Sequence, residues 1–460
     1  MLDLGRNAET WRTWCDYRSV WRWHFYAGLF CIPFVLWLAA TGSIYLFRPQ
    51  IEAWLDRPYD ALAVDGPRAR PEAQVQAALA AVPGRRLNSY ELPKRADSSV
   101  RVLVGRGADL FRVYVHPATA QVLHIVREDQ RPMRRLFYLH GELLMGITGS
   151  MVVETAASWA IVMIVSGLFL WWPRKSGLAG VIYPRLWRGG RVFWRDLHAV
   201  TGLWVSFFTL FVLLSGLPWA RSWGNLLQDA GLLGGAAATR LDWTTGRDSE
   251  IRARVARNAP PVAPSGEHAA HEATAATSAA SYAGLDRLVA VVDSLHLEPP
   301  VLVSPPSMAA HTWTARSDAA DRVSRTEIEL DMRTATITSR VDFGERPLVD
   351  RVVGIGIAAH EGQLSGRLNQ VMGLFTAASL WIVAISSVVL WWKRKPANAL
   401  GAPSPQVGSP RIPALVKVLT VALALAFPMM GATLLAILAI ERGVFVRVPA
   451  AARFFGLSPA

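Results

Sequence analysis

Five stretches of the chain are long and apolar enough to cross a bilayer, at about residues 25–47, 151–172, 199–219, 371–392 and 418–440. Backbone in hydrocarbon must satisfy its own hydrogen bonds, so each stretch is expected to be a helix and the chain a polytopic, mainly α bundle. Hydrophobic residues make up 52% of the 460, with 19 Trp, and they fall into blocks, which excludes a single soluble core. The first stretch is too long for a signal-peptide core and lacks a small-residue cleavage pattern. It runs directly into Arg48 and Pro49 and is read as retained.

The net charge of +13 sits mostly in short segments beside the spans, a membrane-orientation pattern rather than a nucleic-acid-binding one. Arg6, Arg12, Arg18 and Arg22 precede the first span, Arg174 to Arg195 follow the second, and Lys393, Arg394 and Lys395 follow the fourth. These segments are expected in the cytoplasm, with the protein in the inner membrane and its large loops exported.

The expected order starts with a cytoplasmic N-terminus and first span (1–47), an exported domain (48–139) and a second span opening on a His140 segment (140–172). A cytoplasmic basic loop (173–197), a third span (198–219) and a second exported domain (220–352) follow. The chain ends with a His360 segment and fourth span (353–392), a cytoplasmic loop (393–417), a fifth span (418–440) and an exported tail (441–460). Residues 258–281, rich in Ala, Pro, Ser and Thr, are expected to be a flexible insertion, and His268 and His271 within it are not read as a metal site.

Two halves of the sequence share one register. His24 is followed by Gly28 and by Thr41-Gly42, and His198 by Gly202 and by Ser215-Gly216, at identical spacings. His140 leads to Gly146, Ser166 and Trp171-Trp172, and His360 to Gly366, Ser386 and Trp391-Trp392, again without a shift. The chain thus reads as a duplicated pair of spans with parallel halves, plus a fifth span outside the repeat in which Pro428 introduces a kink. Each exported domain reads as a small α+β unit. In the first, a helix runs from Pro71 to about Ala81 and strands lie at 101–104, 111–115 and 121–126. In the second, a helix spans 285–294 and strands lie near 326–330 and 334–341.

Histidines on facing helices can hold a metal porphyrin from both sides. His24 and His198, at the cytoplasmic ends of their spans, are expected to bind one haem b, and His140 and His360, on the exported side, a second. Gly28 and Gly202 lie one helical turn deeper on the same face and leave room for a flat macrocycle. Covalent attachment is excluded by the lack of Cys-x-x-Cys-His, and Cys15 and Cys31 are the only cysteines, which also excludes a disulfide framework and a thiolate cluster. The tryptophan pairs read as interfacial belt residues, and Met145, Met151 and Met372 as apolar filler.

At Trp21 to Gly42, Leu139 to Trp172, Asp196 to Gly216 and Ala359 to Trp392 the sequence resembles the PepSY-associated transmembrane family, over about residues 18–395. Members of that family include bacterial inner-membrane ferric-siderophore reductases with two haems. The resemblance implies PepSY-like exported domains and transmembrane electron transfer to an exported acceptor, with a ferric siderophore as substrate for iron uptake. The chain departs from the family's Asp-Pro-x-Thr-Gly turn, with His116-Pro117-Ala118-Thr119-Ala120 in the first domain and Asp331-Met332-Arg333-Thr334-Ala335 in the second. No Gly-x-Gly-x-x-Gly after a strand and no P-loop occur, so electrons must come from a cytoplasmic reductase or from quinol. Arg101, Arg106 and Arg112 are read as a solvated basic surface, with capture of an anionic chelate as the alternative. Two rival readings are a haem-free membrane assembly or sensor protein that binds a partner through its exported domains, and a transporter. The scarcity of midplane charge argues against the second.

Overall fold

The computed structural model describes residues 17–172, 178–229, 282, 284–306, 312–403 and 414–457. The insertion expected at 258–281 lies outside these residues, as do Cys15, His268, His271 and His311. In chain order the first half comprises α1 (Tyr17–Tyr45), α2 (Arg48–Leu55), α3 (Pro71–Ala81), β1 (Leu87–Glu91), β2 (Val100–Val104), β3 (Phe111–Val115), β4 (Val122–Arg127), α4 (Pro132–Glu142) and α5 (Ile147–Trp171). There follow α6 (Gly190–Gly216), α7 (Arg221–Asp229), α8 (Leu285–Ser294), β5 (Val301–Ser304), β6 (Trp313–Ser317), β7 (Thr326–Leu330), β8 (Ile337–Asp342), α9 (Leu348–His360) and α10 (Arg367–Arg394). The chain closes with α11 (Ala414–Ala426), α12 (Pro428–Ile440) and α13 (Pro449–Phe455).

Five helical segments among the described residues are long and apolar enough to cross a membrane: Tyr17–Tyr45, Ile147–Trp171, Gly190–Trp219, Arg367–Arg394 and Pro428–Phe445. The chain divides into two units. One, the helical unit, comprises Met1–Ser43, His140–Leu227 and Met372–Ala460; the other, the sheet unit, comprises Ile44–Leu139 and Gln228–Val371.

In the sheet unit the eight strands among the described residues form one antiparallel sheet in the order β4-β3-β2-β1-β5-β6-β7-β8. Two α+β units are expected from the sequence; the structure joins their strands edge to edge, with Tyr90 opposite Val303 and Glu91 opposite Leu302. Alternation decides which side chains enter the core. Val100, Val102 and Val104 of β2 share it with Val75 and Ala78 of α3, Leu285 and Leu288 of α8, and Trp313 and Ile328 of the second half. α3 starts where expected because Pro71 occupies its first turn, where a missing N–H costs nothing.

The other face of β2 carries Arg101, which is 1% exposed and ion-paired to Asp56 (3.3 Å), Asp60 (2.7 Å) and Glu91 (3.2 Å). Arg112 of β3 pairs with Glu91 (2.7 Å) and Glu128 (2.9 Å), and Arg131 with Glu128 (3.2 Å). Arg101 and Arg112 are therefore structural cations. The solvated basic surface expected of them is not formed, because each is enclosed by carboxylates; of the three arginines only Arg106 is exposed.

In the helical unit, α5 does not continue α4. Leu143, Leu144 and Gly146 all have positive φ, and Gly146, at +63°, starts α5. Gly366 adopts +57° just ahead of α10. This conformation explains why glycine stands six residues after both His140 and His360.

The fifth apolar stretch departs from expectation. It breaks at Phe427, which is extended ahead of Pro428, and Pro428 begins α12. Phe427 and Met430 pack with Leu217, beyond the C-terminal end of α6. At the opposite end of the unit, Phe445 stacks on Phe455 with ring centres 4.7 Å apart. There the Arg22 guanidinium donates to the carbonyls of Pro403 (2.9 Å), Gly456 (2.9 Å) and Phe455 (3.2 Å), and Leu400 N donates to Phe454 O (3.0 Å). Pro403 thus lies at the Arg22 end, Phe427 at the Leu217 end and Phe445 again at the Arg22 end. The fifth candidate span is Pro428–Phe445, displaced from the expected 418–440, and residues 454–456 lie at the Arg22 end.

Candidate functional site

His24 lies in the first turns of α1 and His198 in those of α6. Their rings face each other with centres 6.4 Å apart and planes at 78°. Two imidazoles bound to opposite sides of one metal ion by bonds of about 2 Å have ring centres roughly 6 Å apart, so the observed spacing fits a single ion between them.

The hydrogen bonds of the outer ring nitrogens fix the tautomers. Ser166 Oγ donates to Met163 O (3.1 Å) and lies 3.0 Å from His24 Nδ1, so its hydroxyl proton is used and Nδ1–H is the donor. His198 Nδ1 lies 3.1 Å from Val383 O, which can only accept, and 3.5 Å from Ser386 Oγ, which itself donates to Val383 O. With the proton on Nδ1, the lone pair of each ring is on Nε2 and is free for a metal.

The same arrangement recurs at His140. Thr41 Oγ1 donates to Trp37 O (2.8 Å) and lies 2.8 Å from His140 Nδ1, which again leaves the lone pair on Nε2. His360 is the last residue of α9 in the sheet unit. It precedes Glu361, whose carboxylate is 3.7 Å from the buried Arg322 guanidinium. His24 and His198 are thus brought together within one unit, whereas His140 and His360 belong to different units.

Space around the rings is set by glycines. A Cβ at Gly202 would meet nothing within 4 Å, and one at Gly28 only Met163 Sδ at 3.7 Å. Two further glycines touch the histidine rings. A Cβ at Gly167 would come within 3.1 Å of His24 Cε1, and one at Gly42 within 3.3 Å of His140 Cε1. Gly42 was visible in the repeat register, and Gly167 follows Ser166, so position alone marked them without revealing that they seat imidazoles.

The tryptophan pairs divide their work. Trp172 and Trp392 are exposed as belt residues are, whereas Trp171 Nε1 donates to Val181 O (2.9 Å) and Trp391 Nε1 to Leu400 O (2.8 Å). Among the described residues no group of three or more His, Cys, Asp or Glu is placed to hold a metal ion.

Five long apolar helices and one antiparallel sheet define a multi-pass membrane protein with a folded polar domain. The chain belongs to the family of the PepSY-associated TM region, whose model matches residues 21–394. No curated protein matches the chain.

Proposed function

We propose that this protein is an inner-membrane oxidoreductase that carries electrons across the bilayer to an exported acceptor, with two haem b groups as cofactors. The observation that supports this most directly is the apposition of His24 and His198 at 6.4 Å, each with its Nδ1 engaged. His24 and His198 would hold one haem and His140 and His360 the other. Bound in this way, haem supplies reversible one-electron exchange.

The protein's contribution is orientation and room. Ser166 and the Val383 carbonyl stop the imidazoles from rotating, and Gly28 and Gly202 keep their helical faces flat. The duplicated register of histidine, glycine and serine supports two equivalent sites, and the resemblance to ferric-siderophore reductases suggests a ferric siderophore as the periplasmic acceptor. Iron(II) binds hard oxygen donors less tightly than iron(III), so reduction would release the metal. A cytoplasmic reductase or quinol would supply the electrons.

The test is a pyridine haemochrome assay with a reduced-minus-oxidised spectrum on detergent-purified protein. Two non-covalent b haems per chain are expected, with one lost in His24→Ala and the other in His360→Ala. A folded protein without haem would overturn the reading and favour a haem-free assembly or sensor protein.

A further inference from the structure

The segment after α5 is unlike an ordinary cytoplasmic loop. Trp204 Nε1 donates to Ile182 O (2.8 Å), while Trp171 Nε1 holds Val181 O. Trp204 lies five residues inside the apolar run that begins at 199, roughly 7 Å below its start. Because a helical side chain leans toward the N-terminus of its helix, residues 181–182 are held beside α6 near the start of its apolar run.

The side chains that this places outward are apolar. Leu178 is 62% exposed, Tyr183 55%, Leu186 48% and Trp187 97%. A nearly bare indole beside three other exposed apolar groups is costly in water but suits the headgroup–acyl boundary. Charge points to the same surroundings. Residues 178–196 contain four arginines (Arg185, Arg188, Arg191 and Arg195) and one acid, Asp196. Asp196 is fully buried and engaged by Arg185 and Arg195, which leaves Arg188 and Arg191, both exposed, as the positive groups beside the apolar surface.

The corresponding loop after α10 is built alike but covered. Trp391 Nε1 holds Leu400 O as Trp171 holds Val181 O, yet Leu400 is buried and its N–H bonds Phe454 O of the C-terminal segment. No segment among the described residues covers the first loop in this way.

We propose that residues 178–191 form an interfacial anchor. Trp187 and its apolar neighbours enter the headgroup–acyl boundary, and Arg188 and Arg191 bind the phosphates of anionic phospholipid. The observations favour lipid over a protein partner because the segment's depth is fixed by Trp171 and Trp204, side chains of membrane-spanning helices.

The experiment places a nitroxide label at Trp187→Cys in the full-length protein, with Cys15→Ser and Cys31→Ala, in nanodiscs of phosphatidylcholine with or without phosphatidylglycerol. Trp187 is almost fully exposed, so the substitution leaves packing intact. Collisions with oxygen are expected to exceed those with a water-soluble nickel chelate, as for a control label at the outward-facing Phe207 of α6. Accessibility to nickel equal to that of a label at exposed Arg57 would overturn the anchor, and so would a label-to-label distance showing a second copy seated on Trp187. In Arg188→Gln with Arg191→Gln, preference for spin-labelled phosphatidylglycerol over phosphatidylcholine is expected to fall roughly tenfold. An unchanged preference would overturn the role of the arginines.

Discussion

The hairpin turns of the sheet unit show one residue standing in for another. At the β7–β8 turn, Asp331 Oδ1 accepts from Arg333 N (2.8 Å) and Thr334 N (2.9 Å), and these bonds, Thr334's foremost, hold its carboxyl below the usual range. At the β3–β4 turn the imidazole of His116 does the same work, with Nδ1 accepting from Ala118 N and Thr119 N (3.2 Å each) and Nε2 donating to Ala63 O (3.1 Å). Both turns then place alanine in left-handed backbone, Ala120 at φ +56° and Ala335 at +57°, where a side chain costs energy that glycine avoids. Ala120→Gly is expected to stabilise its hairpin by about 1 kcal/mol, and His116→Asp to preserve the turn whereas His116→Leu frays it. Hydrogen exchange over residues 111–127 reads this directly, and faster exchange in Ala120→Gly would refute it. The departure from the family's turn motif was legible in the sequence. That a histidine there supplies the acceptor of an aspartate was not, because it depends on which ring nitrogen faces the turn.

Elements were legible to the extent that their signals are local. The helices at 71–81 and 285–294 and the strands at 111–115 and 326–330 stand where alternation and the proline placed them. β1 (Leu-Asn-Ser-Tyr-Glu) carries no such signal; it is a strand because β2 and β5 bond it on both sides, a long-range fact. The same partnership brings Glu91 between Arg101 and Arg112. Next along that network, burial opposes ionisation of Glu128, but the Arg112 and Arg131 cations outweigh it and hold the carboxyl at about 2, against 4.5 for a free glutamate. A group whose folded pKa is depressed stabilises fully above its unfolded value and loses that contribution as pH falls towards the folded one. The sheet unit should therefore lose stability steeply between pH 4.5 and pH 2. Glu128→Gln should cost about 1.5–3 kcal/mol at neutral pH and flatten that slope. Acid titration followed by exchange of β3 and β4 amides checks both, and an equally steep loss in the variant would show that other carboxylates control it.

For the molecule as a whole, the basic segments set the expected sidedness. Counting five single crossings from a cytoplasmic N-terminus puts the C-terminus outside. The structure instead fastens residues 454–456 to Arg22, Tyr26 and Leu400, all at the end of the helical unit where α1 begins and α10 finishes. The two termini of the described chain therefore share a side, whichever side that is. The basic segments before α1 and after α5 and α10 carry the expectation that this side is the cytoplasm. Hydropathy could not reveal this, because a broken helix that goes out and back matches the composition of one that crosses; the direction is set by Phe427, Pro428 and the partners of the tail. A green fluorescent protein fused after Ala460 should fluoresce, and alkaline phosphatase at the same position should be inactive, since the first matures in the cytoplasm and the second only outside it. A phosphatase inserted at exposed Arg57, in the expected exported domain, should be active. Active phosphatase at the C-terminus with an inactive insertion at Arg57 would invert the whole protein yet keep the Arg22 contacts. Activity at both positions would separate the tail from Arg22 and refute the out-and-back path of α11 and α12.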